Sequence, residues 1–113
     1  MMALLFNLDN NDKLLEVLDS CNIKRISVDK NKYNLTLEDI FNNKCNNKLC
    51  LATFNDEMII FDNANVDYVL LKLKMNNINI PLKAILTSYN RKWTPLFLHE
   101  QLLREHISYN IKN

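Results

Sequence analysis

Two stretches of the chain are apolar at nearly every position: residues 3–8 (ALLFNL) and 58–61 (MIIF). A short run of that kind reads as a strand covered on both faces. Residues 23–28 alternate instead, with Ile26 and Val28 on one side and Arg25 and Ser27 on the other, as an edge strand does. Between the first two strands, Leu14, Leu15, Val17, Leu18 and Cys21 recur at helical spacing after a cap at Asn10 or Asn11. Val66, Val69, Leu70 and Leu73 repeat the pattern before a fourth strand at residues 82–87. Asn22 and Asn77 stand where a helix ends in left-handed backbone.

Two further helices are predicted. Thr36, with Asp39 three residues on, opens a short one with Leu37, Ile40 and Phe41 on one face. Thr94-Pro95 opens the last, with Trp93 and Leu98 spaced as a hydrophobic staple. It is expected to run to about Tyr109, with Leu96, Leu102, Leu103 and Ile107 inward. Residues 42–48 read as a loop, and 49–54 as either a short strand or a helical turn.

The order β-α-β-α-β-α-β-α predicts an α/β fold: a small three-layer α-β-α domain with a four-stranded, mostly parallel sheet in the order 2-1-3-4. A ferredoxin-like α+β sandwich is the alternative. Strands apolar on both faces favour three layers, and the roughly 30 residues between the second and third strands favour a helical crossover.

Composition narrows the chemistry. The 113 residues suit one domain, 1–113. With 14 Lys+Arg against 13 Asp+Glu, and with the basic residues scattered, no nucleic-acid surface is indicated. The longest apolar run, residues 1–6, falls far short of the ~20 residues that cross a bilayer, and no Lys or Arg precedes it. The expected location is cytoplasmic, without a membrane role.

Glycine is absent, which removes the dinucleotide fingerprint, the P-loop and the nucleophile elbow, since each requires it. Asparagine occurs 19 times and is read as doing glycine's conformational work. Cys21, Cys45 and Cys50 form an odd set, expected to be free thiols. Cys45 and Cys50 lack two further ligands for zinc, because His99 and His106 are the only histidines and lie two helical turns apart. Cys21, on the inward face near the end of its helix, is misplaced for a redox thiol. No metal and no cofactor are expected.

The sequence PLKAILTSYNRKWT, followed by Leu98, Glu100, Leu102 and the pair Glu105-His106, resembles a family of uncharacterised bacterial proteins. That family shares a pattern close to LKAVLTPTNxxW…L.E…EH and is known only as a domain of unknown function. The resemblance is strongest over residues 58–106, where Asp67 matches and Asn77 replaces a usual glycine. In the first half it survives at Asn7-Leu8, at Cys21 with Ile23, and at Tyr33. Ser88 departs from a usual proline. The resemblance implies no activity.

With strands running together, ligands bind beyond their carboxyl ends. That edge would gather Asn7, Asp9 and Asn10, then Asp62 and Asn63, then the segment Thr87, Ser88, Asn90, Arg91, Lys92 and Trp93. The final helix would aim its N-terminus there. Such a rim suits a small anionic ligand or a protein partner. Against this, Thr87 and Asn90 are also what a tight turn uses to bond its own backbone, and Arg91 and Lys92 could simply be solvated. An enzyme on the same edge would place Asp9, Asp62 or Asn90 near the chemistry, yet no nucleophile–base pair can be assembled. A third reading is a self-associating subunit that uses an exposed helix face or an edge strand.

Overall fold

The computed structural model describes residues 1–44, 50 and 52–112, with side chains as far as 105. Four strands, β1 (Met2–Phe6), β2 (Lys24–Ser27), β3 (Met58–Phe61) and β4 (Leu82–Ile85), form one sheet in the order β2-β1-β3-β4. The helices are α1 (Asp12–Ser20), α2 (Leu37–Phe41), α3 (Asp67–Met75) and α4 (Pro95–Lys112). Among the described residues, a 3-10 turn at Lys30–Lys32 is the one element the hydrophobic pattern did not announce.

The continuous apolar runs are explained by burial on both faces. Ala3 and Leu5 of β1 join Ile59 and Phe61 of β3 in a core closed by Leu14 and Leu18 of α1 and Val69 and Leu73 of α3. The alternate residues Leu4, Phe6, Met58 and Ile60 face the other side, under Leu37 and Ile40 of α2 and Leu98 of α4. Each central strand therefore feeds two cores by its period of two. The fold is three-layered, and the alternative with one open sheet face is set aside.

The expected parallel pairing holds for the two outer strand pairs and fails at the central one. β1 and β2 are parallel, as are β3 and β4, but β1 and β3 run antiparallel, with Ala3 opposite Phe61 and Phe6 opposite Met58. The sheet is mixed. Each βαβ unit steps outward from the sheet centre, one leftward and one rightward. Right-handed crossovers in two units of opposite direction set both helices on one face, and α1 and α3 do share one core. The single rim expected for the strand ends is thereby split. The carboxyl ends of β1 and β2 lie at one edge, and those of β3 and β4 at the other.

The two units end their helices in the same way. Asn22 (φ 58°) and Asn77 (φ 57°) are left-handed, as are Asn7 and Asn43. After α1, Ile23 N–H donates to Leu18 C=O at 3.0 Å and Asn22 N–H to Asp19 C=O at 3.1 Å. After α3, Ile78 N–H donates to Leu73 C=O at 2.9 Å and Asn77 N–H to Lys74 C=O at 3.1 Å. These are paired Schellman closures, each with an isoleucine turned into the core behind it. Glycine suits such a position better than asparagine. Asn22→Gly and Asn77→Gly should each raise the thermal midpoint, whereas Asn→Ala at either site should cost about 1 kcal/mol, as read from thermal melts.

At the other helix ends, Asn11 Oδ1 accepts Leu14 N–H at 3.1 Å, Thr36 Oγ1 accepts Asp39 N–H at 3.2 Å and Thr94 Oγ1 accepts Phe97 N–H at 3.2 Å. Cys21 packs at the margin of the α1/α3 core. Residues 50 and 52–54 carry no helix or strand, and Phe54 is buried. Cys45, the rest of 45–49, and the side chains of His106, Ile107 and Tyr109 lie outside the described residues.

Candidate functional site

β4 delivers the chain to a turn that closes on itself. Asn90 is buried. Its Oδ1 accepts Thr87 N–H at 2.8 Å and its Nδ2 donates to Ile85 C=O at 2.9 Å. Thr87 Oγ1 accepts the N–H groups of Tyr89 and Asn90, both at 3.2 Å. Arg91 N–H donates to Thr87 C=O, and Trp93 N–H to Asn90 C=O. The polar groups of Thr87 and Asn90 are thus occupied within the turn.

What the turn leaves outward is different. Tyr89 at its tip is 84% exposed, and Ser88, Arg91 and Lys92 are exposed beside it. Trp93 is half-buried against the α2/α4 core, and its ring meets Phe97 edge-on at 4.8 Å. Phe97 itself is 40% exposed. Trp93 and Leu98 share that core, as a staple requires.

Helix α2 abuts the same segment. Leu37 N–H donates to Trp93 C=O at 2.8 Å and Glu38 N–H to Arg91 C=O at 3.0 Å. The Glu38 carboxylate lies 3.0 Å from Lys92 Nζ and 3.9 Å from Arg91 Nε. The Lys92 ammonium beside it, with the charge of Arg91, holds the Glu38 carboxyl below its ordinary value against an opposing effect of burial. A carboxyl lowered by folding stabilises above its unfolded pKa and loses that contribution as pH falls through the folded one. Glu38→Gln should therefore lower the thermal midpoint at neutral pH and make no difference in acid, a contrast read from melts at the two pH values.

The carboxyl end of β3 shares this edge. Asp62 Oδ1 accepts Met2 N–H at 2.8 Å, so its carboxylate helps to close the β1/β3 end.

Asn7 does not join it. This residue follows β1 at the opposite edge, with φ 61°, and its Nδ2 donates to Phe54 C=O at 3.1 Å and Asp56 C=O at 3.0 Å. Asp9 and Asn10 line an open polar hollow on that side with Asn7 and Glu57. The expectation that Asn7 would share a rim with Asp62 and residues 87–93 is therefore corrected. So is the enzyme geometry that would bring Asp9 to Asp62 and Asn90.

The Asn7 edge holds a clasp that sequence spacing did not reveal. His99 of α4 stacks on Phe54 with ring centroids 3.9 Å apart, and its Nε2 lies 2.8 Å from Asp56 Oδ2. Tyr33 also stacks on Phe54, with ring centroids 4.5 Å apart. Burial pushes the Tyr33 phenol above its ordinary value, with the Asn7 side chain opposing. These residues are 43 and 47 positions apart across the clasp, and no local pattern links them. Cys50 sits at the margin of this core, with Sγ 3.2 Å from Ala52 C=O. Among the described residues, no three His, Cys, Asp or Glu side chains group as metal ligands, and no helix is long and apolar enough to cross a membrane.

Residues 57–109 match the model of a family described as a domain of unknown function (DUF3783). The matched segment contains β3, α3, β4, the Asn90 turn and most of α4. No match to this chain was found among curated proteins or among solved structures.

Proposed function

We propose that this chain is a small cytosolic binding domain without catalysis of its own, and that it meets a protein partner through the Asn90 turn. One observation carries the reading: the turn satisfies its own polar groups and presents Tyr89, Arg91 and Lys92 from a fixed frame. Tyrosine, tryptophan and arginine are the residue types on which protein interfaces concentrate their energy, and a frame ordered in advance reduces the entropy lost on docking. Trp93 and Phe97 extend the same surface.

A free small anion is less well served. The first N–H groups of α2 are committed to residues 91–93, and Thr94 caps α4. Glu38 already faces both cations. A partner carboxylate would have to replace Glu38 at Arg91 and Lys92, which a large complementary surface can offset and a small ion cannot.

The test has two arms. Trp93 emission and the thermal midpoint should stay unchanged across phosphate, nucleotides, sugar phosphates and organic acids. In quantitative crosslinking, the wild-type chain should join a partner that Tyr89→Ala and the double variant Arg91→Ala/Lys92→Ala both lose, while Lys24→Ala keeps it. A saturable response to one of the small anions would favour ligand binding at this edge. Equal capture by all the variants would remove the turn from the interface.

A further inference from the structure

Helix α3 is apolar on two sides. Val69 and Leu73 point into the core. Tyr68, Leu71 and Met75 point away from it and are 61%, 55% and 67% exposed. At 3.6 residues per turn these three fall within an arc of about 60°, nearly opposite the buried pair. A helix with apolar residues on both sides is normally covered on both sides. Among the described residues, α3 is covered on one.

The flanks of this stripe identify what covers it. Asp67, in the first turn, and Lys74, in the last, lie on the same flank, about 20° apart in helical projection. Neither makes an ion pair among the described residues. On the other flank, Lys72 Nζ sits 5.5 Å from the centre of the Tyr68 ring.

A two-fold axis through Leu71, perpendicular to α3, generates a second helix running the opposite way over the first. Such an operation keeps each flank facing its own copy and exchanges the two ends. Asp67 then comes level with Lys74 of the second copy, and Lys74 with its Asp67. Tyr68 meets Met75, a contact between a thioether and an aromatic ring, and Leu71 meets itself on the axis. The opposed helix dipoles are also favourably aligned. A parallel pairing, about an axis along the helices, exchanges the flanks, so Asp67 and Lys74 face the Lys72 side of the copy and no longer meet each other. Only the antiparallel arrangement brings the two charges of this flank together.

We infer that the Tyr68/Leu71/Met75 face of α3 is the contact of a homodimer, packed antiparallel about Leu71 and locked in register by Asp67–Lys74 pairs between copies. The face lies apart from the Asn90 turn and does not depend on its role. A nine-residue helix offers a small interface, so the association is weak and reversible.

Sedimentation equilibrium on the full chain, from micromolar to millimolar, tests it. The wild-type chain should pass from monomer to dimer within that range. Leu71→Asp places a charge on the axis at an exposed position and should weaken dimerisation at least tenfold without changing the circular dichroism spectrum. Asp67→Lys and Lys74→Asp should each stay monomeric alone, because like charges meet in each homodimer. Mixed in equal amounts they should form a heterodimer, since every pair between copies is then of opposite charge. A wild-type chain that is monomeric throughout would overturn the inference. So would a dimer indifferent to Leu71→Asp, or a mixture of the two charge variants that remains monomeric.

Discussion

Phe6→Ala is expected to destabilise the fold by about 3–5 kcal/mol, the range for deleting a large aromatic from a packed core. Phe6 ends β1 with no exposed surface, and its ring lies 5.6 Å from Tyr33 and 5.8 Å from Phe54. Truncation opens a cavity under the whole aromatic clasp. Phe54 would lose one wall while still stacked on His99, so the α2/α4 core loosens at the Asn7 edge. Domains of this size are commonly stable by only about 5–15 kcal/mol, so this one change could consume most of the margin. Phe6→Leu keeps more of the volume and should cost well under half as much. Phe97→Ala, at a part-exposed position, should cost the least of the three. Urea unfolding of the series measures the order, and equal midpoints for Phe6→Ala and Phe97→Ala would contradict this account of the core.

Asn90→Ala should cost about 2–3 kcal/mol, for a different reason. Removing the amide leaves Thr87 N–H and Ile85 C=O without their partners, and an unsatisfied buried group costs about 1–3 kcal/mol. Asn90→Asp keeps the acceptor for Thr87 N–H but sets a carboxylate against the Ile85 carbonyl, so it should not rescue stability at neutral pH. Ser88→Ala, two residues away and exposed, should change stability by less than about 0.5 kcal/mol. The consequence for binding is specific. Asn90 is buried, yet its loss releases the frame that carries Tyr89 and Arg91, so Asn90→Ala should abolish partner capture as fully as Tyr89→Ala does. Unfolding curves and Trp93 emission report the frame, and crosslinking reports the surface.

These two residues also mark how far the sequence could be read. Phe6 announces itself, because an apolar run of that length and composition has few places to go except the middle of a sheet. Asn90 was legible only as a pair of alternatives, ligand contact or turn former. The distance from its amide to Ile85 C=O selects the second. Tyr89 carried no signal, since an exposed aromatic in a loop has no periodicity to betray it. The pairing of Glu38 with Arg91 and Lys92 spans more than fifty positions and follows from no local rule. The α3 stripe was present in the 3.6-residue repeat, but its meaning depends on which side of the helix the core takes up.

The helices, the caps at Thr36 and Thr94, the glycine-like asparagines at 22 and 77 and the order of the strands follow from the sequence by itself. Each depends on backbone geometry or on apolar spacing within a few residues. The direction of β3 against β1 was decided only by the tertiary structure. A strand buried on both faces shows the same alternation whichever way it runs, and the roughly 30 residues before it can return to either edge of the sheet. That one reversal sends Asn7 to the His99 clasp and leaves the Asn90 turn to form its surface without it.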